Sequence, residues 1–321
     1  MARSRIAALP RRARARRVAV IVLIVAFLAV DGVLIAMAAT AAGVKPHGTL
    51  APIPTFSSMP TPTPTPDGTP TPAPSSTTVA ATIPSTAVSP RFLAAVSATT
   101  AWRATPGSCT GTPAVVEETT NGGGTWVRAD LSKISARTVL FLSGGATSAT
   151  VVSGATSSCT PAFFASFTSG RFWAPYPDRV SEASYIDPAT HALYVAGTTT
   201  PSPCADPRQV AHTSTATAVV CPGELEARTG SGAWVGIPVP GLLAVAAAPN
   251  GWVVAVSGVG GCAGVAVQAM DGSLRPGMSV TTTGCAVAAT PVGVTLSQSG
   301  PTLWLWSGDK TFVSSDSGAN W

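Results

Sequence analysis

The chain has 321 residues, 45% hydrophobic and 10% charged, with six cysteines and a formal net charge of +5. That length allows a membrane segment plus one or two globular domains and excludes a scaffold held by disulfides alone. Seven of the 19 basic residues (Arg3, Arg5, Arg11, Arg12, Arg14, Arg16 and Arg17) stand in the first 17 positions, which leaves 12 basic against 14 acidic residues beyond them. A nucleic-acid footprint needs Lys and Arg spread over a folded face, so the cationic balance argues for no nucleic-acid partner.

Residues 1–17 read as a basic cytoplasmic tail. The stretch that follows, residues 18–43, is apolar apart from Asp31, long enough to cross a hydrocarbon core of about 30 Å. Arginines before it and none just after it place the N-terminus inside and the rest of the chain outside. A single-pass signal-anchor is the expectation; the alternative is a secreted chain cleaved at Ala36-Met37-Ala38. Residues 44–89 are rich in Pro and Thr, including the run from Pro60 to Pro66, and have almost no large apolar side chains. Such a segment buries no core and favours extended polyproline II, which makes it a stalk. The scarcity of Lys beside abundant Arg and Ala suits a high-GC bacterial genome.

From residue 90 to 321 short apolar runs such as HALYVAG, TAVVCPG, WVVAVSGV and TLWLWSG alternate with Gly, Pro, Ser and Thr. None keeps a 3.6-residue apolar period over three turns, so the domain reads as all-β. An octet of pattern Ser/Thr-x-Asp/Asn-x-Gly-x-x-Trp recurs through it. One copy is Thr119, Asn121, Gly123 and Trp126; another is Ser314, Asp316, Gly318 and Trp321. A degraded copy keeps Ser166, Gly170 and Trp173 with Thr168 at the acidic place, and a fainter echo ends at Trp234. The last tryptophan interval, 87 residues, is close to two units of about 43, the size of a propeller blade. The missing member then falls near Met270-Asp271-Gly272.

On these octets the chain resembles the Asp-box, or bacterial neuraminidase repeat, β-propeller superfamily, as a membrane-anchored member of actinobacterial type. That superfamily includes sialidases, sortilin-type receptors and the photosystem II assembly factors. The resemblance implies that each box is the turn between the third and fourth strands of a blade. Physics agrees, since an Asp or Asn accepts from turn amides, Gly supplies positive φ and Trp packs beneath. The repeat lays out five blades, about 91–131, 137–178, 206–240, 242–280 and 283–321, with residues 182–203 as an extra hairpin or an incomplete sixth blade. Residues Thr77 to Val88 are expected to add an outer strand to the last blade.

Cys109, Cys159, Cys204, Cys221, Cys262 and Cys285 all lie in the exported part, which fits an oxidising compartment. No pair has Cys-x-x-Cys spacing, so no zinc site is expected. Six cysteines allow 15 connectivities, and pairing in chain order is favoured: 109 with 159, 204 with 221, 262 with 285.

The chemistry is thin. The arginines do not stand in the Arg-Ile-Pro context of sialidases, and Tyr176, Tyr185 and Tyr194 crowd into one segment. Glu117 and Glu118 are neighbours on an expected strand and point to opposite faces, so they form no acid/base pair. There is no Gly-x-Ser-x-Gly, no His-Glu-x-x-His and no phosphate-binding Gly-rich loop. No catalytic residue, cofactor or metal site is expected. Trp102, Arg103, Arg171, Tyr176 and Arg179 could line a binding face. The reading is a membrane-anchored, extracytoplasmic propeller that serves as a non-catalytic binding or assembly module for an envelope protein or cell-wall glycan. Its rival is a sialidase-like glycoside hydrolase, secreted or tethered.

Overall fold

The computed structural model describes residues 90–155 and 159–321, and all that follows concerns these. The basic tail, the apolar span, the Pro/Thr segment and the strand expected over Thr77 to Val88 lie outside the described residues. Among the described residues no helix is long and apolar enough to cross a membrane.

Twenty-two antiparallel strands form six sheets in chain order. Blade 1 holds β1 (Phe92–Ala95), β2 (Ala101–Thr105), β3 (Val115–Thr119) and β4 (Val127–Arg128); blade 2 holds β5 (Ala136–Gly144), β6 (Ala149–Ala155), β7 (Thr160–Ser166) and β8 (Ala174–Pro175). Blade 3 has three strands, β9 (Ser184–Ile186), β10 (Leu193–Val195) and β11 (Thr198–Thr200). Blade 4 holds β12 (Gln209–His212), β13 (Ala216–Cys221), β14 (Glu224–Thr229) and β15 (Val235–Pro238). Blade 5 holds β16 (Leu242–Ala248), β17 (Gly251–Val256), β18 (Val265–Asp271) and β19 (Val280–Ala286). Blade 6 has β20 (Thr295–Ser299), β21 (Thr302–Ser307) and β22 (Lys310–Ser314). The first strands touch in cyclic order, β1 to β5, β9, β12, β16, β20 and back to β1, so the domain is a closed six-bladed β-propeller.

The five-blade layout gives way to its six-blade alternative. The segment 182–203 is the incomplete sixth blade and not an extra hairpin, since its three strands form a sheet of their own and β9 touches the inner strands on both sides. It was hard to read as a blade because it carries no octet. The boundary near residue 280 also moves: Val280–Ala286 closes blade 5 as its fourth strand, and blade 6 starts at Thr295. The polarity of Thr281-Thr282-Thr283 is that of an outer strand facing solvent.

The core is six layers, one between each pair of neighbouring blades. Middle strands lie between two layers, which is why β13 (ATAVVC) and β21 (TLWLWS) are buried at every position instead of alternating. Neighbouring side chains then enter different layers. Trp102 joins the layer between blades 1 and 2, while Ala101 joins the layer between blades 6 and 1.

The six cysteines pair in chain order. Cys109 and Cys159 tie the second-to-third-strand connections of blades 1 and 2. Cys204 with Cys221 ties the exit of blade 3 to β13, and Cys262 with Cys285 braces blade 5. In an antiparallel meander these connections share one end of the strands, so all three bridges staple one face. The turns from third to fourth strand lie on the opposite face.

Candidate binding groove

The octets occupy those turns. In the three fullest copies the first side chain, Thr119, Ser166 or Ser314, accepts from the fifth residue's N–H, that of Gly123 (3.0 Å), Gly170 (3.0 Å) or Gly318 (2.9 Å). The third side chain accepts from the seventh N–H: Asn121 from Thr125 (2.9 Å), Thr168 from Phe172 (3.0 Å) and Asp316 from Asn320 (2.9 Å). Thr168 thus supplies the oxygen that Asn or Asp gives elsewhere. Hydrogen bonds from Asn320 and Ser314 pull the Asp316 carboxyl down to about 2.

The octet glycine has a second duty, close approach. Its φ is +87° at Gly123, +73° at Gly170 and +94° at Gly318, and a Cβ there would press on the preceding blade. At Gly123 it would meet Thr311, at Gly170 Ala129, and at Gly318 Leu303 of its own blade and Val267 of blade 5. The turn is therefore a spacer between blades. Its tryptophans, expected to be buried, are half-buried instead. Trp173 donates its indole N–H to Gly170 O (3.1 Å), Trp126 lies edge-on to Trp304 at 6.2 Å, and Trp321 packs against the layer between blades 5 and 6.

Ring closure between blades 6 and 1 joins these features into a site. Ala95 N–H donates to Ser297 Oγ (2.9 Å), Ser299 Oγ to Val96 O (3.1 Å) and Trp304 Nε1 to Ser97 O (2.8 Å). The Arg91 guanidinium donates to the carbonyl of Gly308 in the β21–β22 turn. Outside these contacts lies an open groove of about 340 Å³, lined by Arg103, Gly123, Trp126, Asp309, Lys310, Thr311 and Phe312.

Arg103 organises the groove. On β2 it faces blade 6 and sits over Trp126 at 4.1 Å and over Trp306 at 5.0 Å, while pairing with Glu117 across the ladder at 2.7 Å. Arg91 covers Trp306 at 4.6 Å. Burial holds the Arg91 guanidinium below its ordinary value; Asp309 opposes this and Arg103 adds to it. The Trp306 indole N–H is buried without a partner. Two guanidiniums thus stack on indole faces, beside an aspartate and a lysine in the groove wall. This arrangement suits binding through flat apolar contact and charge-assisted hydrogen bonds.

The expected binding face does not hold together. Trp102 is fully buried between blades 1 and 2, with Nε1 donating to Gly145 O (3.2 Å), and it lies on the opposite side of β2 from Arg103. Adjacent strand residues point apart, so the pair cannot share a surface. Arg171, Tyr176 and Arg179 belong to blade 2 and its exit. Arg171 is exposed; the half-buried Arg179 pairs with Glu182 at 2.7 Å and lies 5.7 Å from the half-buried Tyr176 ring. The tryptophan spacing pointed to Trp126, and the alternation of Trp304 and Trp306 is visible in sequence. Arg91, Asp309 and Lys310 carried no signal, because only ring closure brings the ends of the domain together.

Glu118 is the buried counterpart of Glu117. It is 7% exposed and faces the layer between blades 1 and 2; its Oε1 has no partner, and burial raises its pKa while a hydrogen bond with Ser169 opposes the rise. A folded-state value above the ordinary 4.5 means the folded chain holds a proton that the unfolded chain has lost. Stability therefore falls as pH rises from about 4.5 to the raised value, and is lowest, as regards this group, above it. Glu118→Gln is expected to abolish that part of the pH dependence and to raise the melting temperature at pH 7; parallel pH–stability curves for both proteins would count against it.

No protein-family model matches the chain, and no curated protein sequence matches it. Among solved structures it is similar to YCF48 bound to D1 peptide, at 14% identity over 72% of this chain and 81% of that one, with a TM-score of 0.38. It is also similar to the GH74 xyloglucanase from Xanthomonas campestris (14% identity, 72% of this chain, TM-score 0.39) and to the GH74 enzyme from Niastella koreensis (13%, 71%, 0.40). The chain spans 45% of each GH74 chain. At these TM-scores the likenesses carry no argument about fold, ligand or activity.

Proposed function

We propose that this chain is a membrane-anchored, extracytoplasmic propeller that acts as a non-catalytic binding or assembly module for an envelope protein or glycan. The groove between blades 6 and 1 is its contact surface, and its octets are Asp-box turns. One observation carries the reading: Arg103 is held over Trp126 and Trp306 at the edge of an open groove, with Lys310 and Asp309 in the opposite wall. A hydrolase would need two carboxylates converging on a bond. The six inner strands that line the axis contain no Asp or Glu, and Glu117 is engaged by Arg103.

A photo-cross-linking residue at Thr311 is expected to give a defined adduct in envelope preparations that Arg103→Glu abolishes, while the same residue at Val287 gives none. In parallel, a panel of fluorogenic glycosides should show no turnover. Turnover lost on substitution of a single carboxylate would overturn the proposal, as would an adduct indifferent to Arg103.

A further inference from the structure

Blade 3 lacks a fourth strand among the described residues, and the blade after it bears the consequence. The outer edge of β11 makes no backbone–backbone hydrogen bond, and Thr198 and Thr199 are exposed. Across from it lies one face of β14. Leu225 and Ala227 point into the layer between blades 4 and 5, so Glu224, Glu226 and Arg228 point toward blade 3. Arg228 marks the proximity, donating to Thr200 Oγ1 at 3.4 Å and lying over Trp234 at 4.5 Å, while its Nε is buried without a partner.

The two carboxylates lean together over Gly236. A Cβ there would stand 2.8 Å from Glu224 Oε2 and 3.4 Å from Glu226 Oε1. Both are half-buried, and neither makes an ion pair or hydrogen bond. Burial, then the charge of Glu224, raises the pKa of Glu226. An open strand edge therefore faces a wall with two uncompensated negative charges at alternate positions, followed by one guanidinium.

We propose that this cleft takes an extended segment of a partner protein, which pairs with β11 as the fourth strand of blade 3 and places basic side chains against Glu224 and Glu226. This goes beyond the groove between blades 6 and 1 and is independent of it. Alternate residues of an added strand face the same side at the spacing of Glu224 and Glu226. Direction is fixed as well. Strands β11 and β14 run the same way, so an antiparallel fourth strand passes Arg228 first, then Glu226, then Glu224. The recognised pattern, read from N- to C-terminus, is an acidic residue, any residue, a basic residue, any residue, a basic residue.

The test titrates the full chain with a capped, fluorescein-labelled heptapeptide, Thr-Asp-Val-Lys-Val-Lys-Thr, and its reversed sequence. The forward peptide is expected to bind at least tenfold tighter than the reverse. Glu224→Gln with Glu226→Gln should remove that preference without lowering the melting temperature, and N-methylation of the peptide backbone at alternate residues should abolish binding. Glu226→Lys should in turn prefer the peptide with glutamate at the first lysine, which keeps the test decisive if the double variant folds poorly. Equal binding of forward and reversed peptides, or binding indifferent to the Gln substitutions, would overturn the proposal. So would a dimer held through the β11 edge that the peptide fails to displace.

Discussion

Replacing Trp304 with alanine is expected to destabilise the propeller by about 3–5 kcal/mol, the range for truncating a buried aromatic side chain. The side chain is completely buried in the layer that closes the ring, packed with Leu93 and Ala101 of blade 1. Its indole N–H donates to Ser97 O, and its ring meets Trp126 edge-on. Truncation leaves a cavity, an orphaned carbonyl and an unsupported octet tryptophan at one place. For a domain of this size about 1 kcal/mol corresponds to roughly 2–4 °C, so the melting temperature should fall by about 10 °C. Trp306→Phe keeps most of the ring and removes an N–H that has no partner, so its effect should be small. Calorimetry of the two variants checks the contrast, and a Trp304→Ala loss below about 1 kcal/mol would show that closure does not depend on this layer.

The second large effect is expected from Cys109→Ser with Cys159→Ser. The bridge joins connections of successive blades across a separation of 50 residues. Loop-closure entropy then assigns it about 4 kcal/mol, against about 3 kcal/mol for Cys204 with Cys221 at a separation of 17. The guanidinium chloride midpoint should fall more for the first pair than for the second. Equal midpoints in oxidised wild type and the 109/159 variant would mean that the unfolded chain is not restrained by this link.

Much of the architecture was legible because it is repetitive and local. The octets of Thr119 to Trp126 and Ser314 to Trp321 mark two turns outright, and Thr168 was readable as a degenerate third because a hydroxyl can accept the same N–H. Blade 3 was harder, since its strands are three residues each and no octet follows β11. The site was less legible than the fold. Trp102 and Arg103 are adjacent in sequence and separated by a whole strand in space. Arg91 meets Gly308 across 217 positions, a distance no local pattern spans. Glu224 and Glu226 carry no motif in the sequence; what singles them out is the absence, among the described residues, of a fourth strand in the blade before them.

The place where the chain enters the ring has a mechanical meaning. Residues upstream of Pro90 reach the propeller at Arg91, whose guanidinium holds the β21–β22 turn through Gly308. Tension on that upstream chain would reach the ring first at its clasp, the contact between its first and last blades. Load would pass into the side-chain links from Ala95, Ser299 and Trp304, which stand outside any strand ladder. The ring should therefore yield under a pull from this end by unclasping between blades 6 and 1, leaving the three disulfide-braced connections intact.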